Sequence, residues 1–202
     1  MAEALNIPID MPALKNRCLE LLRSTERDNI EALIEYLENR TDYFTAPAST
    51  QFHGAYEGGL VDHSLAVYDN LVKMTQTFGI EARVDSMIII ALLHDLCKTN
   101  FYKKGFRNRK NETTGQWEKV EVYEIDDQMP LGHSEKSIII IQQFIKLTKD
   151  ETLSIRWHMG AFDDAVQGGY SGMKALSSAF QKCPLAAAMH MADMSTSYFD
   201  GK

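Results

Sequence analysis

Apolar residues recur at steps of three and four over most of this chain, the period of helices with one buried face. Asp10 as N-cap and Pro12 just inside predict a first helix to about residue 23. Ser24 or Thr25 starts a second, with Ile30, Leu33, Ile34 and Leu37 on its inner face. Residues 42–59 mix Pro47, Gly54, Gly58 and Gly59 with aromatics, as in an ordered loop. That loop enters a helix whose buried stripe reads Leu60, His63, Val67, Leu71, Met74 and Phe78. The run MIIIALL makes the next helix, about 85–98, apolar on most sides and therefore central. Helical pattern returns at 132–147, then from a capping box of Thr148 and Glu151 to a stop at Gly160, and finally at 171–182 and 184–199.

Between the central helix and residue 132 the helical period is lost. A turn at 111–115 and the alternation of Val120, Val122 and Ile125 with charge predict a β-hairpin over about 101–128. The expected architecture is an all-α, compact helical bundle with an inserted β-hairpin. Residues 1–202 read as a single domain, with N-terminal helices over about 1–45 and the core over 50–200.

Composition narrows the setting. With 202 residues, 45% hydrophobic and 24% charged, the chain can bury a sizeable interior. A net charge of -7 disfavours bulk DNA binding but leaves room for a small phosphorylated ligand. Cys18, Cys97 and Cys183 are odd in number and far apart, which reads as buried reduced thiols rather than disulfides or a zinc-thiolate site. The longest apolar run, 87–93, falls far short of the ~20 residues of a membrane span. No targeting segment is recognised, so a cytoplasmic protein without membrane contact is expected, as a monomer or a homodimer.

The helical stripes contain residues that do not belong in a core. His63 occupies a buried position of its helix, His94 and Asp95 close the central one, and His133 opens the next. His158 lies one turn beyond Ile155, and Asp193 follows Leu185, Ala186 and Met189. No matching set of inward lysines or arginines is apparent to pair the two carboxylates, and unpaired each would cost several kcal/mol. A bound cation resolves this. Imidazole and carboxylate without thiolate suit a first-row divalent metal. Four histidines and two aspartates, with Asp95 free to bridge, suit two such ions that retain open positions.

The ordered set His63, His94-Asp95, His133, His158 and Asp193 resembles the HD superfamily of metal-dependent phosphohydrolases, in the subgroup with two additional histidines between the HD pair and the last aspartate. "HDLCK" is similar to the family's HD-x-x-K pattern, and the resemblance covers roughly residues 50–200. It implies that His63, His94, Asp95 and Asp193 hold one metal and that Asp95, His133 and His158 hold the other. It also implies that Asp95 and Lys98 act in catalysis, with Lys98 facing a substrate phosphate. The GYP motif of one subgroup is absent, so cyclic-dinucleotide hydrolysis is not implied. The implied cofactors are two divalent ions, iron or manganese first, with zinc, nickel, cobalt or magnesium also compatible.

The implied activity is hydrolysis of a nucleotide or other small phosphate ester by a metal-activated water, as a phosphomonoesterase or phosphodiesterase. The same ligand order also resembles the mixed-valent di-iron oxygenases of this superfamily, which cleave C–C or C–P bonds; a third reading is a non-catalytic nucleotide-binding module. Lys103, Lys104 and Arg107, beside Phe101, Tyr102 and Phe106, are candidate substrate contacts on a hairpin that could serve as a lid. Glu57, Asp62, Asp163 and Asp164 are candidate acid-base groups. His190 reads as a supporting or surface group, and His53 as a loop contact or a residue at the edge of the site. Met159, Met173, Met189, Met191 and Met194 read as core filling.

Overall fold

The computed structural model describes residues 10–50 and 54–200. Its first helix, α1 (Met11–Ser24), begins where expected because the Asp10 carboxylate accepts the Ala13 N–H at 3.0 Å and Pro12 gives up no helical hydrogen bond. Ser24 and Thr25 end this helix rather than start the next. Their hydroxyls turn back to the carbonyls of Leu21 and Leu22, at 2.7 and 2.6 Å, and satisfy groups that a helix end leaves open. Glu26 and Asn29 then take left-handed backbone, and α2 (Ile30–Asn39) starts later than predicted with the expected inner face buried.

The loop that follows aims the next helix. The N–H groups of Gly58 and Leu60 donate to Thr45 and Ala46 carbonyls, both at 3.0 Å. A Cβ at Gly59 would lie 2.0 Å from the Gly54 oxygen, so only glycine allows these two backbones to touch. Helix α3 (Gly59–Phe78) buries Leu60, His63, Val67 and Leu71, but Phe78 is 62% exposed where the chain leaves the helix at Gly79.

Helix α4 (Val84–Leu93) is buried from Ser86 to Leu93 and packs against α1, α3 and, beyond the hairpin, α6 (Lys149–Arg156). It is the centre of the core and is shorter than predicted. His94 caps it, Asp95 leaves helical geometry at φ -100° and ψ 20°, and residues Leu96–Lys98 form one tight 3₁₀ turn. Strands β1 (Tyr102–Lys110) and β2 (Trp117–Ile125) follow as an antiparallel hairpin, with Tyr102 opposite Ile125 and Lys110 opposite Trp117. Val120 and Val122 share one half-buried face; Ile125 is out of phase with them and is exposed.

Helix α5 (His133–Ile141) is also shorter than its periodicity predicts, and turns replace its last part. Lys136 ties it to the hairpin base, donating to Asp127 at 2.5 Å and lying over the Phe101 ring. The capping box of α6 forms as expected between Thr148 and Glu151. Glu151 also accepts from Arg27 and from Ser86, and Arg27 donates to Asp85 at 3.0 Å. The core therefore contains inward cations that periodicity did not reveal. Helix α6 stops at Arg156, before Gly160, and α7 (Asp164–Gln167), α8 (Tyr170–Lys182) and α9 (Pro184–Ser195) complete the bundle. A π-helical turn, Thr196–Asp200, replaces the predicted continuation of α9. Cys18, Cys97 and Cys183 are buried free thiols. Among the described residues no helix is long and apolar enough to cross a membrane.

Candidate metal centre

Two histidines reach the interior by the same local device. His94, at the end of α4, places Nδ1 2.8 Å from the Ala91 carbonyl; His158, just after α6, places Nδ1 2.7 Å from that of Ile155. Each carbonyl lies three residues back and is an open acceptor of a helix end, so each ring must donate from Nδ1. The Nε2 atoms of His94 and His158 are thereby left as acceptors, buried and with no hydrogen-bond partner among the described residues. Such an atom is costly in a core unless it binds something.

Both face Asp95, whose side chain is 4% exposed. One carboxylate oxygen, Oδ2, lies 3.4 Å from His94 Nε2 and 3.9 Å from His63 Nε2. The other, Oδ1, lies 2.7 Å from His133 Nε2 and 3.5 Å from His158 Nε2. Asp193, from the last turn of α9, closes the first side, with Oδ1 3.1 Å from His63 and 3.9 Å from His94. The six expected ligands therefore converge, divided by the two oxygens of one aspartate. Their donor set of imidazoles and carboxylates fits a divalent metal.

The charges in this cluster support each other. Burial would raise the Asp95 carboxyl, but the Lys98 ammonium and the neighbouring histidines hold it well below the usual range. Burial likewise opposes ionisation of Asp193, and the hydrogen bond and charge of His63 override it. Burial lowers His133 despite the favourable contact with Asp95. Lys98 donates to Asp95 Oδ2 at 2.7 Å, and that carboxylate raises the ammonium above its usual value against the effect of burial. The expectation that no inward cation meets these carboxylates is thus corrected: the 3₁₀ turn after α4 folds Lys98 back onto Asp95.

The same turn brings in Cys97, whose Sγ lies 3.3 Å from His133 Nδ1. Burial, with the negative charge of Asp95, pushes its thiol up to about 12, so it is protonated at neutral pH. The ligand set expected to lack thiolate therefore has a protonated, buried thiol at its edge, beside His133.

Beside Asp95, Lys98, His158 and Asp193 opens a cavity of about 600 Å³. Its remaining wall includes Met159, Phe162, His190, Met194 and Tyr198. His190 donates from Nδ1 to the His158 carbonyl at 2.6 Å, as a support for that segment. Its ring lies where a Gly160 Cβ would be, and Gly160 is left-handed at φ 55°. Of the methionines read as core filling, Met189 is fully buried, whereas Met173, Met191 and Met194 are exposed. The signal for Met159 and Met194 was their position, next in sequence to His158 and Asp193.

The predicted hairpin contacts are not brought to this cavity. Lys103 and Lys104 pair with Asp126 and Glu121 of the hairpin itself, and Arg107 is exposed. Asp163 caps α7 and pairs with Arg156, while Asp62 accepts from the Tyr56 hydroxyl at 2.5 Å. Glu57 borders a separate shallow depression and Asp164 is exposed. His53 lies outside the described residues.

A helical bundle whose inward histidines and aspartates meet at one carboxylate defines a metal-binding class of protein. The family model described as "HD domain" matches residues 60–193. The chain belongs to the HD-domain family, whose members bind divalent metals. It is also 41% identical over 64 residues to a dihydroneopterin 2',3'-cyclic phosphate phosphodiesterase from Methanocaldococcus jannaschii, covering 29% of this chain and 26% of that protein. The chain thus spans about a quarter of the curated relative it matches. No solved structure matches it.

Proposed function

We propose that this chain is a metal-dependent phosphohydrolase acting on a nucleotide or another small phosphate ester. The observation that carries this reading is the division of the two Asp95 oxygens between His63 and His94 on one side and His133 and His158 on the other. A single carboxylate so arranged fits a bridge between two ions. In this reading His63, His94, Asp95 and Asp193 hold one ion, and Asp95, His133 and His158 hold the other. When bound, such ions supply Lewis acidity and bring the pKa of a water toward neutrality.

The chain's own residues do the rest. The tethered rings of His94 and His158 keep Nε2 aimed inward without rearrangement, which is preorganisation already present in the fold. Lys98 borders the cavity beside Asp95 and offers N–H donors to phosphate oxygens, where charge builds in the transition state. Asp95 is buried and Lys98 and Asp193 are nearly so, so these charges act in a setting less polar than bulk water. Overall, one water adds its oxygen to phosphorus, the P–O ester bond breaks, and the alcohol leaves with the remaining proton. The relative being a cyclic-phosphate phosphodiesterase supports including diesters among the substrates. The residues before the family match, α1 and α2, belong to the same unit in this reading, since α1 packs on α3 and α4.

The test is elemental analysis of protein purified without chelator, followed by anaerobic phosphate-ester hydrolysis with mono- and diesters. Two metal equivalents and oxygen-independent hydrolysis are expected. Metal-loaded protein that hydrolyses neither class, or that consumes oxygen instead, would overturn the proposal.

A further inference from the structure

The cavity has two unlike parts. At its floor stand Asp95 and Asp193 with Lys98. Its outer wall is apolar and aromatic: Phe162 and Tyr198 are 52% and 67% exposed, and Met194 is 37% exposed. Exposed apolar side chains are common one at a time, but these line one cavity together and are continuous there with a polar cluster, as in a ligand site. They also come from separate elements, Phe162 from the turn after His158 and Tyr198 from the π-helical turn after α9. That turn is anchored, since Thr196 donates to the Ala192 carbonyl and accepts from Asn70, both at 2.9 Å. An aromatic wall beside a phosphate-facing floor matches a ligand that carries a flat ring at one end and a phosphate at the other.

The charge inventory limits how many phosphates that ligand carries. Among the described residues lining the cavity, the side chains that are or can become cationic are Lys98, already paired with Asp95, and the imidazoles of His158 and His190, of which His158 is a metal ligand in the proposed reading. No arginine is among these lining residues and neither is any basic residue of the hairpin, whose Lys103 and Lys104 pair with Asp126 and Glu121. A triphosphate placed here would bring several negative charges against two carboxylates with little to neutralise them beyond the metals. Soft, adaptable Met159 and Met194 suit the face of a ring rather than a polyanion.

We infer that the substrate of this site is a phosphate ester with one phosphate, open or cyclic, joined through its alcohol to a planar heteroaromatic group that stacks on Phe162 and Tyr198. The inference rests on the phosphohydrolase reading for which end of the ligand faces Asp95. It assigns Phe162 and Tyr198 as specificity-determining residues, and it moves base recognition from the hairpin to the wall formed by the segments after His158 and Asp193.

Binding tests it independently of turnover. Protein reconstituted with manganese is titrated with three non-hydrolysable phosphonates: one based on adenosine, one on ribose alone, and the adenosine compound at the triphosphate level. The adenosine phosphonate is expected to bind at least tenfold more tightly than the ribose phosphonate, and the triphosphate analogue no more tightly than the adenosine phosphonate. Tyr198→Ala and Phe162→Ala should each cut the adenosine-to-ribose ratio about fivefold or more, with Tyr198→Phe restoring it. Phe106→Ala, on the hairpin, should keep the wild-type ratio. A ratio near one in the wild type, a ratio insensitive to Phe162 and Tyr198, or a tenfold preference for the triphosphate analogue would overturn the inference. If ring-dependent binding holds while no ester is hydrolysed, the phosphohydrolase proposal fails and the ring site stands. If esters are hydrolysed without regard to the ring, the reverse is true.

Discussion

Nε2 of His133 lies 2.7 Å from Oδ1 of Asp95, across 38 residues of chain that include the whole β-hairpin. The insertion leaves the bundle next to one site residue and returns beside another, so the hairpin can vary in length without moving either. The carboxylate at the centre of this arrangement is the most exacting place to test the site.

Asp95→Asn keeps the shape and one acceptor oxygen but removes the charge shared by both halves of the cluster. Metal retained through chelator-free purification should fall below half of wild type, and phosphate release by more than about 100-fold, beyond the range usual for residues that merely support a ligand. Elemental analysis on the same sample used for kinetics checks both. Full metal content with normal turnover would remove Asp95 from the centre.

Arg27→Met addresses stability at a distance from the chemistry. Glu151 is fully buried and Arg27 is its cationic partner. Leaving this carboxylate without its cation, with only the Ser86 hydroxyl and the Thr148 N–H to donate to it, should destabilise the protein by about 3 kcal/mol, read from the shift in urea midpoint. Combining the change with Glu151→Leu should recover part of the loss, since an apolar pair carries no unpaired charge.

Asp85 governs part of the acid sensitivity. Hydrogen bonds from Arg83, opposed by burial and helped by the charge of Arg27, hold its carboxyl below the usual value. A carboxyl lowered in the folded state contributes stability that is present above its unfolded pKa of about 3.9. That contribution is lost as pH falls through the lower folded value. Urea midpoints measured from pH 6 to pH 3 should therefore drop less steeply for Asp85→Asn than for wild type.

Gly160→Ala should be costly despite its size. The residue has φ 55°, and the added Cβ would come within 2.3 Å of the His190 ring. Strain and displacement together predict a loss of about 1–3 kcal/mol in thermal or urea denaturation. Because His190 supports the His158 carbonyl, metal retention should weaken as well. Gly79→Ala, also left-handed but in open space, isolates the backbone contribution.

The candidate site residues stood out in the sequence because most of them fall on or at the end of an otherwise apolar helical stripe. His63 between Leu60 and Val67 is the plainest case, and His94-Asp95 at the end of an unbroken apolar run is the next. What periodicity missed lies where helices stop. It carried α4 through Lys98, past the 3₁₀ turn in which Lys98 pairs with Asp95 and Cys97 lies against His133. It read Met194 as core, although helix α9 turns that position outward to the cavity. It also gave the hairpin lysines a substrate role, when cross-strand and adjacent carboxylates already engage them.

By itself, then, the order of residues determined that the chain is helical with one hairpin and which inward histidines and aspartates are out of place in a core, since each of these signals depends on groups within a few turns of one another along the chain. Only the tertiary structure decided which oxygen of Asp95 meets which histidine and what walls the cavity beside them. Those groups come from α3, the ends of α4 and α6, the start of α5, and α9, and their spacing is set by how the elements pack around Ile88, Ile89 and Ile90 in the central helix. A shift of one ångström in that packing would leave every local pattern intact and still separate the ligands.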